Sequence, residues 1–591
     1  MRVLLVNPPC GPRTIGMRHI SRMEPLALET IGAAVKEGNE VRLVDMLTYP
    51  GDLLATLQHF KPDVVGVTTE AVRSGQAKNV LRTIRRLVPD CLTVVGGHHP
   101  TLFPDDFEDP AVDLVVRGEG VETFAEICAA RKAGATNFEH IAGLMIRSDV
   151  GLKPTDPRPI PTTLDHHPFP DRSLTARYRK HYYYITEPSA AGMRLSMGCE
   201  HSCTFCPNPL YSQNCFAARD PRKMFEEICS IQEPFIYFCD NGTFHEVDRM
   251  RTLGQMLLHA GIKKRYLTYV RADTIVNNLD LFELWARAGL SVAMIGLEAL
   301  DDKELDGFQK GTHVSHNEGA VRFLEEIGVG IIAGFLVKPT FTRQDFKRLN
   351  RYIHTHPSII HAEFTPITPF PGTKYYAQQK PNVLTTDWEV YDMQHFVTRT
   401  PMPTKKLYRM MLGSYGKIVR RVIRQERLYW PHRGFRPDKL RLLGGLIANA
   451  LTMLSAHRHV PSAPADGPPQ IIDERGGACV NGPAATPTPS AVMSSANNAD
   501  SPAEVRPRPA AVLRERGAAG VHGLCRSRGR ARICRGRRGR RGRSVYLGHQ
   551  GNPMGRERVI AHRVPRSRLG RLPDAMRSGE ARASRDHGRR A

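Results

Sequence analysis

Cysteine is sparse in this chain, twelve residues in 591, far below the density of a secreted disulfide scaffold. Long apolar runs are missing too. The longest candidate, residues 442–454, falls short of the roughly 18–20 residues that a bilayer crossing needs, and Gly444, Gly445 and Asn449 interrupt it. No signal-peptide pattern opens the sequence, where MRVLLVN reads as a strand running into Pro8-Pro9. These absences favour a reducing cytoplasm, with the inner face of a membrane as a secondary location. Lysine is wholly absent from residues 501–591, although that stretch holds 25 arginines against six acids.

The last absence bears on an apparent nucleic-acid signal. The formal net charge is +24, which by itself would suggest a polyanionic partner. However, residues 501–591 carry +19 and residues 405–441 a further +10, leaving −3 for residues 1–404. The globular part is almost neutral, and no nucleic-acid partner is expected for it. From about residue 457 Pro, Ala and Ser dominate, followed by RSRGRARICRGRRGRRGR. Such a composition cannot bury a core and predicts disorder over 457–591. Arginine without lysine is also what GC-rich DNA encodes in a shifted frame; a genuine RNA- or membrane-binding arm is the alternative.

The rest of the sequence contains two runs of strand–helix alternation. In residues 1–145, VLLVNPP, VRLVDM, DVVGVTT, LTVVGG and DLVVRGEG alternate with helical periodicity over 26–36, 52–60 and 76–87. Short β-branched runs in that rhythm predict an α/β, doubly wound, Rossmann-like parallel sheet. Ligands bind beyond the carboxyl ends of such strands. The candidate binding residues are therefore Pro8 and Pro9, Thr69 and Glu70, Gly96, Gly97, His98 and His99, and Gly118, Glu119 and Gly120. Any one loop of this kind may simply turn the chain; four at successive strand ends favour a ligand. GxGxxG is missing after the first strand, so a dinucleotide is the weaker guess. Residues 146–190, rich in Pro, His and Tyr, read as a linker. Alternation resumes over 191–380 with six strand–helix units, which suits a partial (β/α)6 TIM-type barrel with its chemistry at the strand carboxyl ends. Residues 381–456 read as helical and basic.

The strongest motif is MGCEHSCTFCPNP, which sets Cys199, Cys203 and Cys206 in C-x3-C-x2-C spacing after the first barrel strand. Three thiolates this close can hold three irons of a cubane cluster and leave the fourth iron open to an outside ligand. A zinc knuckle is the plainer reading, but no fourth ligand lies at finger spacing, and His201 sits awkwardly between the cysteines.

With Phe205 before its last cysteine, this motif resembles that of the radical SAM superfamily. Further similarities follow in order: Asp240 and Asn241 in YFCDN, Arg271 in YVRAD, Glu298 in IGLEAL, then Lys310-Gly311-Thr312 and PFPGT. Taken singly, Arg271 and Glu298 also read as an ordinary barrel ion pair. NPP, GGHHPT and RGEG resemble the subgroup whose N-terminal domain binds cobalamin. The resemblance implies a [4Fe-4S] cluster on Cys199, Cys203 and Cys206, with S-adenosylmethionine (SAM) held near Phe205, Asp240, Asn241, Arg271 and Glu298. It also implies cobalamin beneath the N-terminal loops and an external electron donor of flavodoxin or ferredoxin type. The D-x-H-x-x-G signature of one cobalamin class is missing, because Asp165-His166-His167 runs into Pro-Phe-Pro in the linker. No protein histidine is therefore expected on cobalt.

Within the subgroup, residues 1–430 are most similar to the hopanoid C-3 methylases. That similarity implies C-methylation of an unactivated carbon on a lipid or other small molecule. A tetrapyrrole cyclase and a C-methylase of an antibiotic or phosphonate precursor are the alternatives. An RNA-modifying methylthiotransferase would need three grouped N-terminal cysteines; Cys10, Cys91 and Cys128 are scattered. A non-enzymatic cobalamin sensor would not need the cysteine triad. The basic segment 405–454, with Tyr429, Trp430 and Phe435, reads either as a peripheral membrane contact or as a solvated face on the barrel.

Overall fold

The computed structural model describes residues 1–16, 20–185, 187, 189–429 and 437–461. Residues 462–591 lie outside the described residues, and with them nearly all of the stretch expected to be disordered.

The N-terminal sheet has seven strands, ordered Glu40–Asp45, Arg2–Asn7, Val64–Thr68, Leu92–Gly96, Leu114–Val116, Leu144–Ser148 and Gly151–Pro154. The first five are parallel. Strand alternation divides its core in two. Leu4, Val6, Val65 and Val67 face the helices Asp52–Phe60 and Ser74–Leu87, while Val3, Leu5, Val64 and Val94 face Leu26–Val35 and Gly120–Lys132. A strand buried on both sides must be apolar throughout, which is why VLLV carries no polar residue. Each such side chain contributes about 1.5–3 kcal/mol.

The sheet does not end at residue 145. Leu144–Ser148 and Gly151–Pro154 add an antiparallel hairpin at its edge, so the stretch expected as linker opens with two strands. The remainder of it ties the two sheets together through charge. Arg172 donates to Glu227 at 3.0 Å and to the Gly192 carbonyl at 2.8 Å. Arg179 pairs with Glu233 and with the buried Glu24, and Glu24 accepts from the Gly192 amide at 2.7 Å.

Six parallel strands form the second sheet in sequence order: Ala190–Met193, Phe235–Phe238, Arg265–Val270, Leu290–Glu298, Gly330–Val337 and Ile359–Pro366. Their outward residues pack against helices such as Val247–His259, Leu279–Ala288 and Arg343–Thr355, the last begun by a Thr342/Asp345 capping box. The cysteine loop does not leave this sheet directly. After Met193 the chain forms a further short strand, Ser196–Gly198, paired antiparallel with Phe216–Ala218.

Residues 381–403 are not a long helix, contrary to expectation. They form turns and a Val383–Thr398 bridge. The first long helix beyond them is Thr404–Tyr429. It closes the open edge of the barrel: Leu407, Tyr408, Met411 and Ile418 enter the core, and the Tyr415 hydroxyl accepts from the Phe364 amide at 3.1 Å. One face of the basic segment is thus buried on the barrel. Trp430 and Phe435 lie outside the described residues.

Candidate active site

Two neighbouring features gather at the strand carboxyl ends. The first is a cleft of about 1130 Å³ between the sheets, lined by Thr69, Glu70, Gly96, Gly97, His98, Gly118, Glu119 and Gly120 from one side. Arg194, Met197, Tyr211, Asp240 and Asn241 line it from the other. Eight of the eleven loop residues read from the sequence therefore share one wall. Gly97 has φ +115, and a Cβ there would stand 2.5 Å from the Thr69 carbonyl oxygen. Only glycine lets these two loops close.

Pro8, Pro9 and His99 are not in that wall. The Pro8 carbonyl accepts from buried Arg73, which also binds Glu70 and Asn7. His99 turns into the core, with Nε2 2.9 Å from Asp106 and its ring 4.6 Å from that of Trp388. Trp388 comes from the 381–403 region, and no local pattern around GGHH announces that contact. His98 does face the cleft, its ring 4.6 Å from that of Tyr211.

Arg194 and Glu119 join the two halves at 3.1 Å. Glu119 is the first cause of the upward shift of the Arg194 guanidinium. Burial pushes the Glu119 carboxyl up, but Arg194 and His167 outweigh it and hold it below the usual range. Arg194 went unrecognised in the sequence because an arginine at a strand end has no distinguishing spacing.

The second feature is the cysteine loop. Cys199, Cys203 and Cys206 are free and half-buried. Burial raises the Cys203 thiol and pushes Cys206 up to about 11. Three thiolates on one loop can each take a different iron of a cubane and leave the fourth iron open. The donor set fits the cluster.

Phe205 serves as an anchor: its ring meets Phe308 edge-on at 5.6 Å and packs beside Tyr375 and Leu336. The Thr204 amide donates to the Phe308 carbonyl at 2.9 Å. Facing Cys203 are Lys310, Glu298 and Arg271. Lys310 Nζ lies 2.8 Å from Glu298 Oε1, and Arg271 Nη2 donates to the Lys310 carbonyl and to Asp273, each at 2.8 Å. Burial would lower the Lys310 ammonium, but Glu298 and Cys203 raise it. Glu298 has φ +60, and the sheet register shifts between Gly296 and Glu298. Left-handed backbone at a non-glycine residue is costly and is concentrated at functional sites. Here it swings the carboxylate onto Lys310. Sequence reasoning had given Lys310 no role of its own.

Asp240 serves the backbone. Its Oδ1 accepts from the Leu195 and Ser196 amides at 2.8 and 3.0 Å, and Oδ2 is buried beside the Thr243 hydroxyl. Burial raises this carboxyl to about 7. Asn241 is exposed on the cleft rim.

Residues 17–128 match the B12 binding domain family. Over 441 residues the chain is 27% identical to the hopanoid C-3 methylase of Methylococcus capsulatus, covering 73% of this chain and 82% of that protein. It is 25% identical to the anaerobic magnesium-protoporphyrin IX monomethyl ester cyclase of Synechocystis, covering 73% and 90%. The cobalamin-dependent SAM radical enzyme OxsB, solved with aqua-cobalamin and SAM, superposes with a TM-score of 0.59 at 17% identity, over 76% of this chain and 71% of that one. The chain has the fold of the cobalamin-dependent radical SAM enzymes. The radical SAM methyltransferase TsrM of Kitasatospora setae is similar too, with a TM-score of 0.52 at 19% identity over 64% of this chain and 76% of that one. The matched residues 17–128 fall within the doubly wound sheet and its helices.

Proposed function

We propose that this chain is a cobalamin-dependent radical SAM C-methyltransferase whose acceptor is a hopanoid-type polycyclic lipid, methylated at an unactivated ring carbon. The observation that carries the chemistry is the juxtaposition of two sites at the strand ends of the two sheets: the cleft under Gly97, Gly118 and Glu119, and the cysteine loop facing Lys310, Glu298 and Arg271, whose flanking residues Gly198 and Asn208 line that cleft.

The cleft residues would hold cobalamin, and Cys199, Cys203 and Cys206 would hold a [4Fe-4S] cluster through three irons. When bound, the cluster supplies the electron that cleaves SAM, and cobalamin supplies the methyl group. The chain's own residues bind and orient. Arg271 and Glu298, fixed by Asp273 and Lys310, present a cation and an anion beside the open side of the cysteine loop, where the charged ends of SAM require both. Asp240 locks the turn at Leu195–Ser196 from which the cysteine loop departs. Arg194 and Glu119 hold the cleft walls together. An unactivated ring carbon offers no nucleophile, so only a radical route reaches it.

The relative from Methylococcus supports the acceptor class. A surface feature supports a lipid setting: the helix Pro437–Ser455, at the C-terminal end of the basic segment, exposes Ile447 (54%), Leu451 (62%) and Leu454 (41%) at i, i+4 and i+7. Peripheral contact with an anionic membrane follows from that pairing. No helix among the described residues is long and apolar enough to cross a membrane.

Expression in a hopanoid-producing host lacking C-3 methylation tests the proposal. The expected product is a hopanoid heavier by one methylene, seen by mass spectrometry. Unchanged hopanoids, with cluster and cobalamin confirmed, would overturn the acceptor class and favour the tetrapyrrole cyclase reading.

A further inference from the structure

The linker motif Asp165-His166-His167 lies beside the cleft, touching its wall only where His167 meets Arg194. In the fold it meets Glu122, in the first turn of the helix Gly120–Lys132. One ligand atom from each of Glu122, His166 and His167 lies within 4.8 Å of the others. His166 Nε2 stands 2.7 Å from Glu122 Oε1, and the two imidazole rings are 4.6 Å apart at 76°. His167 is only 4% exposed, and its Nε2 is buried without a hydrogen bond. A sealed ring nitrogen with no partner is costly and calls for an explanation; a chance meeting of surface histidines with a carboxylate would not create one.

We propose that Glu122, His166 and His167 form a zinc site that pins the interdomain linker to the rim of the B12-binding domain. Two imidazoles and one carboxylate suit Zn(II), with water as fourth ligand. The surroundings agree with that assignment. Arg158 Nη1 lies 3.3 Å from Glu122 Oε2, which orients the carboxylate and leaves Oε1 for the metal. Arg194 Nη2 is 3.5 Å from His167 Nδ1, at the outer limit of a hydrogen bond, and Glu119 neutralises its charge.

The test uses enzyme loaded with cluster and cobalamin, titrated with zinc sulfate against a competing chelator and assayed for zinc, iron and cobalt by mass spectrometry. About one zinc per chain is expected. His166→Ala, His167→Ala and Glu122→Gln should each weaken zinc binding by about tenfold or more while iron and cobalt remain. His166 is exposed, so its variant separates ligand loss from misfolding. The Cys199→Ala/Cys203→Ala/Cys206→Ala protein should keep its zinc. Wild-type enzyme that takes up no zinc, zinc that persists in the His166→Ala/His167→Ala protein, or zinc lost with the cysteines would each overturn the assignment.

Discussion

Replacing Asp240 by asparagine should alter stability with a sign that depends on pH. The carboxyl normally titrates at 3.8, and burial raises it to about 7 in the fold. A raised acid binds its proton more tightly in the native state, so wild-type stability falls as pH rises from about 4 to about 7. The full gap corresponds to about 4 kcal/mol of destabilisation above pH 7, and to about 1.5–2 kcal/mol at pH 5. Asparagine keeps an oxygen for the Leu195 and Ser196 amides and abolishes the titration. Its amide N–H2 takes the place of Oδ2 beside the Thr243 hydroxyl, which can accept from it, so that contribution is the same at every pH. Relative to wild type, the variant should therefore be about 2–3 kcal/mol better placed at pH 8 than at pH 5, or about 5–10 °C in Tm for a domain of this size. Anaerobic thermal scans of both proteins from pH 5 to 8 measure this. Parallel Tm curves would refute the assignment of a buried, near-neutral titration to Asp240.

Single alanine variants of Cys199, Cys203 or Cys206 should abolish formation of 5′-deoxyadenosine, because two thiolates cannot hold a cluster with one open iron; turnover by the reconstituted triple variant would contradict the cluster. Gly97→Ala should cost about 2 kcal/mol or more and abolish cobalamin retention, read by absorbance after gel filtration; wild-type retention would show that the Thr69–Gly97 contact does not shape the cleft. EPR of the Co(II) state should lack nitrogen superhyperfine splitting from a protein imidazole in wild type and in His98→Ala alike; splitting lost on His98→Ala would identify His98 as a ligand.

The sequence by itself determined what depends on local periodicity and contiguous spacing. Strands buried on both faces must be continuous apolar runs, so the two parallel sheets were legible, as were the loops at their carboxyl ends. The cysteine motif was legible for the same reason: its three sulfurs lie within eight consecutive residues. What only the tertiary structure decided depends on residues far apart in the chain. His99 belongs to the core because Trp388 arrives from nearly three hundred residues away, and His98 stays at the cleft because no such partner covers it. Asp240 is bound to the Leu195 and Ser196 amides, and Phe205 packs on Phe308, for the same kind of reason. The edge hairpin at 144–154 is buried only at Leu144 and Met145, so it has no apolar run like those of the strands before it. Lys310 gains its role from the left-handed turn at Glu298. Burial and charge pairing are properties of the assembled fold, and no local window of sequence contains them.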